Sequence, residues 1–171
     1  VSWAVDENLS ASGPRNKGHA ATSSNITFSH SIVAEALDYA THKKGRHSKG
    51  LLVHDFTTRV GVIGNLFVSN DRRNPYFKGN TSGVVVNNVL YNLGSAAVQL
   101  GYIRQEYEGI AFKPKNPVVS VVGNTLIYGR DSYTDLPLVA YQGDAYLKDN
   151  QVIDLLGRSL PVDQGDIRHL E

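Results

Sequence analysis

Cysteine and methionine are both absent from the 171 residues. The missing cysteine removes disulfides, thiolate metal sites and a cysteine nucleophile together. It leaves the redox compartment open. Charge imbalance is missing as well: 17 Lys and Arg against 16 Asp and Glu leave a formal charge of +1, too weak a field to call for nucleic acid. The one basic run, Thr41 to Lys49, reads as a solvated loop. No apolar run approaches the ~20 residues that cross a bilayer, so no membrane partner is expected, and no signal peptide is visible. Helical periodicity is nearly missing too. Only Ser31 to Tyr39 offers a short helix candidate, and it has no clear stop signal.

What is present is a folded composition, 41% hydrophobic with 19% charged residues, in a length that suits one domain. A short β-branched run followed by asparagine and another apolar residue recurs. It stands at Val60–Phe67, Val84–Tyr91 and Val118–Leu126, with weaker copies at Tyr146–Ile153 and Asn25–Val33. The matching asparagines, Asn65, Asn88, Asn124 and Asn150, are 23, 36 and 26 residues apart. Intervals of that size with strand-sized apolar runs mark a solenoid, whose coils bury an inward face only by stacking. Asparagine suits the bend because it tolerates left-handed torsions, and its amide can bond to the equivalent asparagine one coil away.

A β-sandwich is the competing architecture. It would show cleaner alternation and turn signals every ~8–12 residues, whereas Val84–Val86 and Val118–Val122 are continuous or nearly continuous apolar runs. The reading is therefore all-β, a right-handed parallel β-helix. Leu37–Thr57, Asn92–Pro117 and Gly129–Pro137 are read as loops, where solenoids carry their function. The chain starts in mid-pattern at Val1-Ser2-Trp3. The expectation is a single β-helix domain over 1–171, a piece lacking N-terminal coils, with Leu170-Glu171 as a cloning scar. An open end exposes strand edges, so another chain or the missing N-terminal segment is expected to cap it.

Four stretches in order resemble the pectate lyases, the family 1 type of polysaccharide lyase on the pectin lyase-like solenoid. Trp3-Ala-Val-Asp6 is similar to the family's Trp-x-x-Asp strand. His47-Ser-Lys49-Gly-Leu-Leu-Val53 resembles its His-x-Lys segment. Arg73-Asn-Pro75-Tyr-Phe-Lys78 resembles its Arg-x-Pro-x-x-Arg motif, with lysine in the last place. Val84–Tyr91 resembles the strand that follows. The likeness spans roughly residues 1–95.

The resemblance implies cleavage of an acidic, uronate-containing polysaccharide by β-elimination, outside the cell or in the periplasm. It makes Arg73 the base at C5 and Lys49 the group that neutralises the uronate carboxylate. Lys78, His47 and Tyr76 are implied as substrate contacts, with Tyr107 a further stacking candidate and His42 near the same cluster. Lys78 lacks the two-pronged grip of the arginine it replaces.

The resemblance also implies Ca²⁺, with Asp6 as one carboxylate. Ser12–His19, where further acids are expected, has none. Glu7, Glu35 and Asp38 are the available substitutes, and Arg15 with Lys17 offers fixed positive charge in place of the metal. A glycoside hydrolase built on Asp6, Glu7, Asp55 and Asp71, and a non-catalytic carbohydrate-binding or structural β-helix, are the alternative functions. Asn-x-Ser/Thr sequons at Asn8, Asn25 and Asn80 read as chance matches.

Overall fold

A computed structural model describes residues 1–171. Fifteen short strands wind into stacked coils. The first face carries β1 (Glu7–Ala11), β4 (Lys49–Val53), β7 (Tyr76–Phe77) and β10 (Val98–Leu100). The second carries β2 (Ser24–Ser29), β5 (Thr58–Ile63), β8 (Ser82–Val86) and β11 (Val118–Val122). The third carries β3 (Ile32–Ala34), β6 (Leu66–Val68), β9 (Val89–Tyr91), β12 (Thr125–Ile127) and β14 (Gln151–Ile153). β13 (Val139–Lys148) runs straight through a corner, pairing β10 with its first residues and β11 with its last. β15 (Asp163–His169) lies along it.

Every ladder between these strands is parallel. The protein is an all-β parallel β-helix. Parallel strands paired on both edges bury their backbone polar groups, and inward residues stack coil upon coil. Val33, Phe67, Leu90, Leu126 and Val152 form one such column on the third face, in register and almost fully buried. Each contributes about 1.5–3 kcal/mol of burial.

The asparagine spacing translates into a ladder. The backbone N–H of Asn65 donates to Asn88 Oδ1 at 2.8 Å, that of Asn88 to Asn124 Oδ1 at 2.9 Å, and that of Asn124 to Asn150 Oδ1 at 3.0 Å. The side-chain amides repeat the pattern, and Ser31 N–H ends the row on Asn65 Oδ1 at 3.1 Å. The left-handed torsion falls one residue earlier than expected, on His30, Gly64, Asn87, Gly123 and Asp149. The ladder asparagines bridge coils, and their predecessors make the bend.

Two other expectations change. Ser31–Tyr39 holds β3 and a loop rather than a helix, because Val33 points inward between outward Ile32 and Ala34, a period of two. The intervals read as loops also contain β4 and β10, whose Leu51, Val53, Val98 and Leu100 are core.

Candidate active-site cleft

The outer side of the first face holds a cleft of about 330 Å³. Arg73, Lys78, His47, Tyr76 and Asp6, all singled out in the sequence, line it together with Glu7 and Glu106. Lys49 does not: it shares the parity of Leu51 and Val53, which face the core, and is only 4% exposed.

Arg73 is placed by its backbone. Its φ of +62° lies in the left-handed region, unusual for a residue with a side chain. That conformation is fixed on both sides: the Arg73 N–H donates to Gln99 Oε1 at 2.7 Å, and its carbonyl accepts from Leu51 N–H at 2.6 Å. A Cβ on Gly50 would sit 2.8 Å from the Arg73 carbonyl and 2.3 Å from Asn74 Oδ1. The glycine after Lys49 is what lets this turn approach β4.

Beneath the turn runs a second, buried asparagine row. Asn8 donates to Asn70 Oδ1 at 3.3 Å and Asn70 to Asn74 Oδ1 at 3.1 Å. Nothing in the sequence spacing marks it, since its members are not one coil apart in number. Asn8 is buried within it, which removes the first sequon as an exposed acceptor.

Two cations of the cleft, Arg73 and Lys78, are already paired. The Arg73 guanidinium rests on the Glu7 carboxylate and lies 5.8 Å from the Tyr76 ring centroid. Burial pulls Arg73 below its ordinary value, opposed by the charge of Asp6. Lys78 is buried and bonded to Asp55 at 3.1 Å and to Glu106. Asp55, fully buried, also accepts from Arg15 Nε at 2.9 Å and Tyr107 Oη at 2.6 Å. Burial pushes the Asp55 carboxyl up, but His54, Tyr107, Lys78 and Arg15 together hold it well below the usual carboxylate range. Tyr107 is therefore an interior prop rather than an open sugar platform.

Lys49 has no carboxylate within ion-pair distance, and burial with the Arg72 charge pulls its ammonium down to about 8. Burial likewise pushes the Tyr76 phenol up to about 12, so it stays neutral.

Asp6 meets two imidazoles. His47 Nε2 lies 2.7 Å from Asp6 Oδ1 and His42 Nε2 lies 3.5 Å from Oδ2, with the two rings stacked 3.7 Å apart.

No family model matches the chain. Curated relatives do. A "Probable pectate lyase C" of Aspergillus terreus is 33% identical over 129 residues, 75% of this chain and 24% of that protein. The Aspergillus flavus protein of the same name is 35% identical over 132 residues, 77% of this chain and 25% of its own length. That of Emericella nidulans is 38% identical over 112 residues, 66% of this chain and 22% of its own. The chain is a pectate lyase-like β-helix. It spans about a quarter of the length of these relatives.

The pectate lyase-like resemblance implies calcium, and the residues around Asp6 do not fit it. Calcium takes ~6–8 oxygen ligands. Asp6, His42 and His47 bring ligand atoms within 4.8 Å of one another, but two of the three are imidazole nitrogens. His42 Nδ1 also accepts the Lys44 N–H at 3.2 Å, which leaves the proton on Nε2, the nitrogen facing Asp6. The proposed substitutes are occupied elsewhere: Glu7 by Arg73, Glu35 by Trp3 Nε1 at 3.0 Å, Asp38 by Arg46. Arg15 stands in the acid-free segment with its guanidinium on Asp55 and Glu106.

Sequence reasoning passed over Glu106, which enters the cleft from the connection between β10 and β11. Only its acidic character within a long loop could have flagged it.

Proposed function

We propose that the protein is a polysaccharide lyase that cleaves an acidic, uronate-containing polymer by β-elimination. The observation that supports this reading is the convergence of Arg73, Lys78, His47 and Tyr76 in one cleft on the first face. Arg73 takes the C5 proton of the uronate, the electron pair forms the C4–C5 double bond, and the C4–O bond breaks. The leaving oxygen takes a proton from solvent. Burial favours the neutral guanidine this step needs, and Glu7 opposes it, so the reaction runs at alkaline pH.

Lys49 stands outside the cleft lining, and its ammonium, pulled down to about 8, is largely neutral at the alkaline pH this step needs, so it lends the enediolate no charge there. Tyr76 offers its ring to a sugar face beside Arg73. No step uses calcium. A secreted or periplasmic location follows from a polymeric substrate, and no helix is long and apolar enough to cross a membrane.

The hydrolase alternative needs two carboxylates free to act on the scissile bond. Glu7 is tied to Arg73, Asp55 to Arg15, Lys78 and Tyr107, and Asp71 to Arg72 and Ser95. The test is a panel of uronans, pectate and alginate among them, assayed with calcium and with chelator. Near-ultraviolet absorbance that grows with wild type and is lost in Arg73→Ala supports the reading. Reducing ends without absorbance would favour a hydrolase, and sugar binding without turnover a non-catalytic module.

A further inference from the structure

Lys78, which lines the cleft, and Arg15, which stands behind that lining, share two carboxylates of different kinds. Arg15, in the corner after β1, and Lys78, in the corner after β7, share Asp55, which is fully buried and also bonded by Tyr107. That partner is permanent. Both cations reach a second carboxylate as well: Glu106 Oε2 accepts from Arg15 Nη2 at 2.8 Å and from Lys78 Nζ. Unlike Asp55, the Glu106 side chain is 32% exposed and forms part of the cleft wall beside Arg73.

Without Glu106, an arginine fork and an ammonium would aim at one point, the place in the cleft wall that Glu106 Oε2 occupies. Their only counter-charge would be a carboxylate already sealed beneath them. That arrangement is a receptor for one carboxylate.

We infer that Arg15 and Lys78 form a second carboxylate-binding subsite, filled by Glu106 in the free protein and by a uronate of the substrate, next to the reacting sugar, in the complex. The inference rests on the cleft being a uronan site and adds Arg15 and Glu106 to it. Exchange of one carboxylate for another leaves the local charge unchanged, so an acid sugar displaces Glu106 at little electrostatic cost. A neutral or esterified sugar cannot, because it would leave two desolvated cations sharing one anion. The subsite therefore selects an acid at the neighbouring residue, and Glu106 sets how hard the substrate must compete.

The experiment is calorimetric titration of trigalacturonate, and of its methyl ester, into protein carrying Arg73→Ala. Turnover by absorbance is measured in parallel with Arg73 intact. Glu106→Gln removes the competing charge and is expected to tighten trigalacturonate binding roughly tenfold, leaving the methyl ester unchanged. Glu106→Asp, which keeps the charge but withdraws it, is expected to tighten binding less. Arg15→Gln is expected to loosen it.

Unchanged or weaker binding in both Glu106 variants, with a melting temperature close to that of the parent, overturns the subsite whatever the turnover assay gives. Tighter binding without turnover of any uronan in the panel leaves the subsite standing and removes the lyase reading instead.

Discussion

The guanidinium of Arg73 is paired with the carboxylate of Glu7, two coils away along the first face. A carboxylate in contact favours the charged guanidinium, as the Asp6 charge also does, whereas burial favours the neutral one. The two act on the same proton in opposite directions. Arg73→Ala is expected to lower turnover by about 10² or more, as for loss of a general base. Glu7→Gln is expected to move the alkaline limb of the pH–rate profile to lower pH. A limb that stays in place or moves up would show that Glu7 does not control the protonation of Arg73.

Lys49 supplies a prediction of opposite sign in the stability. Its pKa falls from 10.5 to about 8 on folding, through burial first and the Arg72 charge next. Between about pH 8 and 10.5 the unfolded chain binds more protons than the folded one, so this group makes stability rise with pH across that window. Lys49→Met is expected to abolish the slope and to stabilise the fold at pH 7 by on the order of 1–3 kcal/mol. Urea unfolding at pH 7 to 10 measures both.

The coils were legible in the sequence; the inward position of Lys49 was not, because it falls in the interval Leu37–Thr57 that reads as a loop. Lys49-Gly50-Leu51-Leu52-Val53 has apolar residues on both parities and is buried throughout, so no local alternation marks the side that the lysine takes. The asparagine intervals mark the coils because each coil must bond to the next at the same bend.

What the sequence hid is set by distance along the chain. Glu106 reaches Lys78 across 28 residues and Arg15 across 91, through a connection with no repeat to fix its course. The Asn8–Asn70–Asn74 row is equally silent, since one of its steps joins residues four apart and the other 62. The pairing of Arg73 with Glu7 needs a coil register that no local pattern states.

The asparagine ladder predicts a graded cost. Asn88→Ala removes the acceptor of both the Asn65 backbone N–H and its side-chain amide, and the donors to Val62 and Asn124, all in buried surroundings. A loss of about 2–4 kcal/mol in urea unfolding is expected, as for several buried groups left unpaired. Asn150→Ala strips the end of the row, where the amide is part-exposed and water replaces the lost partner. It is expected to cost less than half as much. Equal costs would mean that the ladder is not cooperative.

Asp55 predicts the acid limit of the fold. The Asp55 carboxyl is held below its ordinary value of 3.8 because His54, Tyr107, Lys78 and Arg15 outweigh its burial. Its contribution is therefore present above about pH 4 and is lost as pH falls below that, where the folded chain resists a proton the unfolded one accepts. Asp55→Asn leaves Arg15 and Lys78 with Glu106 alone and is expected to cost about 3–5 kcal/mol at pH 7. Its stability is also expected to change less than that of wild type between pH 5 and 2. A variant as acid-sensitive as the wild type would move the acid limit elsewhere. Asp55, buried beneath Arg15 and Lys78, would then be a bystander to it.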